Sequence, residues 1–186
     1  MGTSHSTAVQ LEQLTAKHNV DSFDCGEEEL NAFIKKNALQ SMQQGSNRTL
    51  VVVEAGRVVA FISYTYGTVS AEQAILRMMK GVARHPQPIL LLARMAVDKT
   101  FQGQRLGKAL FFYFLGLALD IDDAARRDTV TSPAVAPLRG VAVHAKSEAV
   151  AEFYRSFGME ASPLSDRHLM MLMKDVRKAL QGNAEA

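Results

Sequence analysis

The chain has 186 residues, 47% hydrophobic and 22% charged, with a formal net charge of +2. That length and apolar content suit one globular domain spanning 1–186 with a sizeable core, and no apolar run approaches the roughly 20 residues of a membrane span. A single cysteine, Cys25, excludes an internal disulfide or a cysteine-based metal centre, and His5, His18, His85, His144 and His168 lack ligand spacing, so no metal is expected.

Residues 1–10 carry no basic and then apolar run of the kind that directs secretion, so we expect a disordered start to a cytoplasmic protein. A helix is predicted from Phe23 to Gly45. Asp24 and Glu27 make a box-like start, Leu30, Phe33, Ile34, Ala38 and Met42 form an apolar stripe, and Lys35 and Lys36 face solvent. Thr49–Glu54 and Arg57–Tyr66 are β-rich runs around Ala55-Gly56, which predicts a hairpin. Residues 71–88 read as irregular with a short helix through Met79. If helical, they would set Arg77, Lys80 and Arg84 on one face.

Ile89–Leu92 and Met95–Val97 are nearly continuous apolar runs, as in a strand buried on both faces. Leu106, Ala109, Leu110 and Tyr113 have the spacing of one helix face. Between them lies Gln102-Gly103-Gln104-Arg105-Leu106-Gly107, with glycines where a backbone must turn tightly. A helix that starts there aims its unpaired N–H groups at the loop and makes an anion site. Neither the NTPase loop nor the G-x-G-x-x-G dinucleotide fingerprint is present.

Asp120–Leu138 reads as a polar surface insertion. Val141–Ala145 is a second strand, leading through Ser147 into a helix over Glu148–Phe157 stopped by Gly158, and His168–Lys174 is a last, methionine-rich strand. This order predicts an α/β fold, one sheet with helices on both faces. Charge is uneven along it. Residues 61–115 hold seven basic side chains against two acids, whereas the segments on either side are slightly acidic. Such a concentration suits a phosphate-bearing cofactor, or a second polyanion approaching the same face.

Gln102–Gly107 resembles the pyrophosphate loop, Q/R-x-x-G-x-G/A, of the GCN5-related N-acetyltransferases, with Arg105 at the middle glycine. VAVHA followed by SEAVAEFYRSFGM is similar to that family's last strand–helix unit. The opening is similar to the acetyltransferase toxins of toxin–antitoxin pairs, through Phe23-Asp24-Cys25-Gly26 and Gly45-Ser46-Asn47-Arg48-Thr49. Those toxins often carry Q-G-x-R-L-G, which accommodates Arg105.

The resemblance implies a mixed, twisted sheet whose parallel strands splay to admit acetyl-coenzyme A. The pantetheine arm would lie along Met95, Ala96 and Val97, and the pyrophosphate on the backbone N–H groups of Gln102, Gly103, Gln104, Arg105, Leu106, Gly107 and Lys108. It implies acetylation of the α-amine of aminoacyl-tRNA, a block of translation, a homodimer, and an antitoxin of the ribbon–helix–helix class. Arg77, Lys80, Arg84, Arg94, Lys35 and Lys36 are the candidate tRNA contacts.

Acetyl transfer needs a neutral amine, a donor for the oxyanion and a proton for the leaving thiolate. A strand N–H near Val97 would serve the oxyanion. Tyr154 is the candidate acid by resemblance, its alternative being an aromatic packed on the sheet. Phe153 beside it is core. No acidic residue stands out as a base. A lysine amine lies about 3 units from neutrality at pH 7 and an α-amine only about 1, so the latter needs little more than water. Two other functions stay open: acetylation of a small amine or protein N-terminus, and a non-catalytic coenzyme A-binding partner of a DNA-binding antitoxin.

Overall fold

The structure, a computed structural model, describes residues 10–82, 84–127 and 136–184. Most of the expected disordered start (1–9) and the middle of the expected insertion (128–135) lie outside them. Among the described residues seven strands form one sheet in the order β1-β2-β3-β4-β5-β7-β6. They are β1 (Glu12–Gln13), β2 (Arg48–Glu54), β3 (Arg57–Val69), β4 (Gln87–Val97), β5 (Gly140–His144), β6 (Glu160–Ser162) and β7 (Ser165–Leu172). β4 and β5 run parallel, while β1–β2, β5–β7 and β6–β7 are antiparallel. The α/β expectation therefore stands. No helix among the described residues is long and apolar enough to cross a membrane.

Contacts divide the chain into two compact units. The first comprises Met1–Ser63 and Arg94–Tyr113. Its core gathers Phe23, Phe33, Ile34, Ala38, Val51, Val58 and Phe61. Phe61 is the hub, its ring centroid 5.5 Å from Phe23 and 5.9 Å from Phe33. The helical stretch over it starts later than predicted. It comprises α1 (Glu28–Ala32), a π-helical segment (Phe33–Asn37) and α2 (Ala38–Gln43). The expected capping box is absent: Glu27 is the N-cap without a side-chain cap bond, and the Asp24 carboxylate turns elsewhere. The stripe is as expected, with Phe33, Ile34 and Ala38 buried and Lys35 and Lys36 exposed. The turn of the hairpin is confirmed by positive φ at Ala55 (48°) and Gly56 (77°), the twist a two-residue hairpin loop requires.

The second unit comprises Tyr64–Ala93 and Phe114–Ala186. Val69, Ile75, Met78, Ile89, Ala142, Met170 and Leu172 form its core. Here α3 (Leu76–Met79) is a single turn, and Lys80 beyond it is extended, so Arg77, Lys80 and Arg84 do not share a helix face. Arg77 instead donates to Glu160 and, at 2.7 Å, to Asp175. α4 (Leu106–Arg127) runs eight residues past the expected end, so 120–127 is helix and not insertion. Asp122 is the reason. It is 1% exposed and accepts from Arg126 (2.9 Å), Arg177 (3.2 Å) and the Leu138 N–H (3.0 Å), so an acid that reads as loop polarity is a buried helical anchor. The buried stripe of α4 is Leu110, Phe111, Phe114, Leu115 and Ala118, which leaves the expected Tyr113 37% exposed.

α5 (Glu148–Arg155) is capped by Ser147, whose hydroxyl accepts from the Val150 N–H. β7 ends at Leu172, two residues before the prediction, and Met173 opens a further helix, α6 (Met173–Ala184). The apolar run LMMLM spans that junction, so periodicity alone does not reveal the change.

His144 and His168 lie opposite each other on β5 and β7, with rings stacked at 4.0 Å. Burial, and then the neighbouring His144, push His168 down to about 4. The unfolded chain would take up this proton near pH 6.5, whereas the folded one resists it to about 4. Stability should therefore fall as pH drops through that interval, with a slope below about 1.4 kcal/mol per pH unit. Denaturant midpoints of wild type and His168→Gln across pH 7 to 4 check this. Equal pH dependence in the two would refute it.

Candidate functional site

The parallel ladder joins β4 and β5 from Ile89↔Gly140 to Leu92↔Val143. Beyond it β4 continues to Val97, and this half is not buried on both faces as expected: Ala96 is buried, but Arg94, Met95 and Val97 are half-buried and Ala93 is exposed. A strand edge released from its ladder keeps N–H and C=O groups available to an extended ligand.

Asp98 follows and caps a 3-10 turn, Lys99–Phe101. The loop then takes Gly103 to φ 76° and Arg105 to φ 62° before α4 starts at Leu106. Residues 102–105 are all exposed. The first-turn N–H groups of α4 find no carbonyl within the helix, and its positive dipole end faces the loop. A left-handed arginine is strained by about 1–2 kcal/mol, which explains why a pyrophosphate loop favours glycine at this place. Arg105→Gly should raise stability by up to about 1 kcal/mol after the extra chain entropy of glycine is subtracted. Chemical denaturation reads this; a loss of stability would mean that arginine packing outweighs the strain. A cleft of about 610 Å³ opens beside Arg105, lined also by Val52, Val59, Phe101, Leu106 and Glu54. That is the size of a small-ligand site.

The loop's glutamines serve the loop itself. Gln104 donates to the Thr100 carbonyl at 3.1 Å. Gln102 donates to the Val97 carbonyl at 2.9 Å and the Cys25 carbonyl at 3.0 Å. Asp98 is 3% exposed. Burial would raise its pKa, but bonds from the Thr100 hydroxyl, the Asp24 and Thr100 N–H groups and Arg57 outweigh that and hold it at about 2. Asp98 is a turn residue whose partners include the chain's beginning, and no spacing signal announces a bond across 74 positions.

In the second unit Tyr154, on α5, is 5% exposed, and its ring meets Phe153 edge-on at 5.1 Å. Burial raises its pKa above the usual phenol value, so it stays protonated throughout the physiological range. Of the expected tRNA contacts, Arg77 is engaged by two carboxylates and Arg94 lies 4.2 Å above the Phe33 ring. Lys35, Lys36, Lys80 and Arg84 are exposed. Among the described residues no cluster of three or more His, Cys, Asp or Glu could hold a metal ion.

No model of a known protein family matches the chain. The chain is 36% identical over 159 residues to a tRNA-acetylating toxin of Mycobacterium tuberculosis, an alignment covering 86% of this chain and 89% of that protein. Among solved structures, AtaT complexed with acetyl-methionyl-tRNAfMet is similar with a TM-score of 0.76 and 20% identity, over 91% of this chain and 97% of that one. A mutant AtaT toxin bound to the C-terminus of the antitoxin AtaR and acetyl-CoA has a TM-score of 0.72 and 20% identity, over 92% and 97%.

Proposed function

We propose a function from the premise that the chain belongs to the tRNA-acetylating toxins of the GCN5-related N-acetyltransferase family. It is an acetyl-coenzyme A-dependent N-acetyltransferase that modifies the α-amine of aminoacyl-tRNA and thereby blocks translation. The observation that carries this is the 36% identity along nearly the whole of both chains, and the site's chemistry is consistent with it.

Acetyl-coenzyme A supplies an acyl thioester. The chain's own residues would bind and polarise it. The free edge of Met95, Ala96 and Val97 would pair with the amides of the pantetheine arm. N–H groups from Gly103 to Lys108, at the start of α4, would take the pyrophosphate oxygens, with the Arg105 guanidinium as an added cation. Arg105→Gly, more stable, should therefore bind acetyl-coenzyme A roughly tenfold more weakly, the loss of one charge-assisted contact. Titration calorimetry decides, and unchanged affinity would remove Arg105 from the binding set. The Val97 N–H would serve the oxyanion, and Tyr154 would donate to the departing sulfur.

For the tRNA we retain Lys35, Lys36, Lys80 and Arg84 as phosphate contacts. Arg77 and Arg94 drop behind them because each already has a partner. An antitoxin partners the toxin. We further propose that this antitoxin is of the ribbon–helix–helix class, that the toxin is a homodimer, and that it acts in the cytoplasm where charged tRNA resides.

The test supplies purified protein with acetyl-coenzyme A and total charged tRNA and looks for N-acetylated aminoacyl-tRNA. Acetylation of free amines or peptides alone would favour the small-amine reading. Acetyl-coenzyme A binding without any transfer would favour the non-catalytic partner.

A further inference from the structure

The chain's opening segment is tied to the far end of β4 by a continuous polar network, all within the first unit. Asp24 donates its N–H to the Asp98 carboxylate (3.1 Å) and accepts the Lys99 N–H on its carbonyl (2.8 Å). Its own carboxylate accepts from the Gly26 N–H (2.9 Å), the Asn31 amide (2.9 Å) and the Lys99 ammonium (2.9 Å). Asn31, 8% exposed, accepts the Cys25 N–H at 2.9 Å and donates to the Asp24 carboxylate oxygen that also takes the Gly26 N–H, so it steadies both peptides flanking the Cys25 α-carbon. The Cys25 carbonyl then receives one hydrogen of the Gln102 amide, whose other hydrogen goes to the Val97 carbonyl. On the far side the Asp98 N–H donates to the Val59 carbonyl at 2.8 Å. The peptide plane between Val97 and Asp98 is thus held at both ends, by Gln102 at its C=O and by β3 at its N–H.

The Gln102 backbone N–H, expected on the pyrophosphate, goes to the Lys99 carbonyl (3.4 Å), and the side chain is committed as well. Both hydrogens of its amide are spent on carbonyls, and the remaining amide oxygen is an acceptor. A pyrophosphate at neutral pH offers acceptors only, so the Gln102 side chain has nothing to give it. We propose that Gln102 and Asn31, with the Asp24-Cys25-Gly26 corner, are positioning residues: they hold the phosphate loop and the end of β4 in the pose that binds acetyl-coenzyme A, without touching it. The proposal rests on the acetyltransferase reading. It gives the Phe-Asp-Cys-Gly segment a part in cofactor binding, though it lies over seventy residues from the loop in sequence.

The experiment compares wild type, Gln102→Ala, Asn31→Ala and the double variant in three readouts. These are the Kd for acetyl-coenzyme A, kcat at saturating acetyl-coenzyme A on charged tRNA, and amide hydrogen exchange of residues 98–108 in ligand-free protein. We expect each single substitution to raise Kd roughly tenfold, the scale of one to two lost hydrogen bonds. We expect kcat within about twofold of wild type and faster exchange in the loop before any ligand is added. The double variant should bind no worse than the weaker single, because Asn31 reaches the loop through the Cys25 carbonyl, which Gln102→Ala already leaves unused.

A raised Kd for Gln102→Ala with loop exchange unchanged would overturn the proposal in favour of direct contact. So would additive losses in the double variant, and so would faster exchange with unchanged Kd, which is the mark of a merely structural role. Wild type that binds no acetyl-coenzyme A would sink the acetyltransferase reading and this proposal together. Wild type that binds while the variants match it would sink this proposal alone.

Discussion

Tyr154→Phe is expected to lower the rate of tRNA acetylation by roughly 10²- to 10⁴-fold, the range for loss of a positioned acid, while leaving the fold intact. The phenylalanine keeps the ring that packs edge-on against Phe153 and occupies the same buried volume on α5. Only the hydroxyl is removed, at a stability cost of about 1 kcal/mol. The expected pH profile is more discriminating than the loss itself. Burial raises the Tyr154 phenol above its usual value near 10, so it remains protonated far into the alkaline range.

The wild-type rate should therefore climb as the substrate α-amine, near pKa 8, loses its proton, and should then stay level to beyond pH 9. A raised pKa also means that full transfer to a thiolate, near 8.5, is uphill, so the hydroxyl serves chiefly as a hydrogen-bond donor to the sulfur as it leaves. A falling limb between pH 8 and 9 would assign the acid to another group. Tyr154→Phe with unchanged turnover would remove Tyr154 from catalysis and leave it as a packed helix aromatic.

What could be read from the sequence was local. The hairpin was legible because Ala55-Gly56 sits between two β-rich runs. The loop before α4 was legible because glycines interrupt a strand-to-helix junction. The unread parts depend on partners distant in the chain. Asp122 looks like loop polarity until Arg126, Arg177 and the Leu138 N–H are seen around it. Gln102 matches a cofactor motif, yet its amide is consumed by carbonyls five and seventy-seven residues away. Arg77 has the charge of a phosphate contact, and its two carboxylate partners, Glu160 and Asp175, stand over eighty residues away in the chain. In each case residue type was informative, but the bond that decides its role is non-local. The change from β7 to α6 at Met173 failed for another reason, since an unbroken apolar run has no period to betray the switch.

Gly140 and Gly116 should respond to the same substitution with opposite sign. At Gly140, the first residue of β5, a Cβ would stand 2.3 Å from the Met171 carbonyl oxygen and 2.3 Å from the Met78 methyl carbon. The methionine side chain can swing away, but the carbonyl belongs to β7, held in ladder register with β5 from Gly140↔Leu172 to His144↔His168. Relief requires the strands to part where their pairing begins. Gly140→Ala is therefore expected to destabilise by about 3 kcal/mol, the upper part of the overpacking range, which is a large share of a typical total of about 5–15. At Gly116, inside α4, a Cβ meets nothing within 4 Å. Gly116→Ala should stabilise by about 0.5–1 kcal/mol, because alanine loses less entropy on entering a helix. Urea titrations of both variants measure the difference. A Gly140→Ala protein as stable as wild type would mean that β5 and β7 yield at this point, and that the close approach there is not what fixes the start of β5.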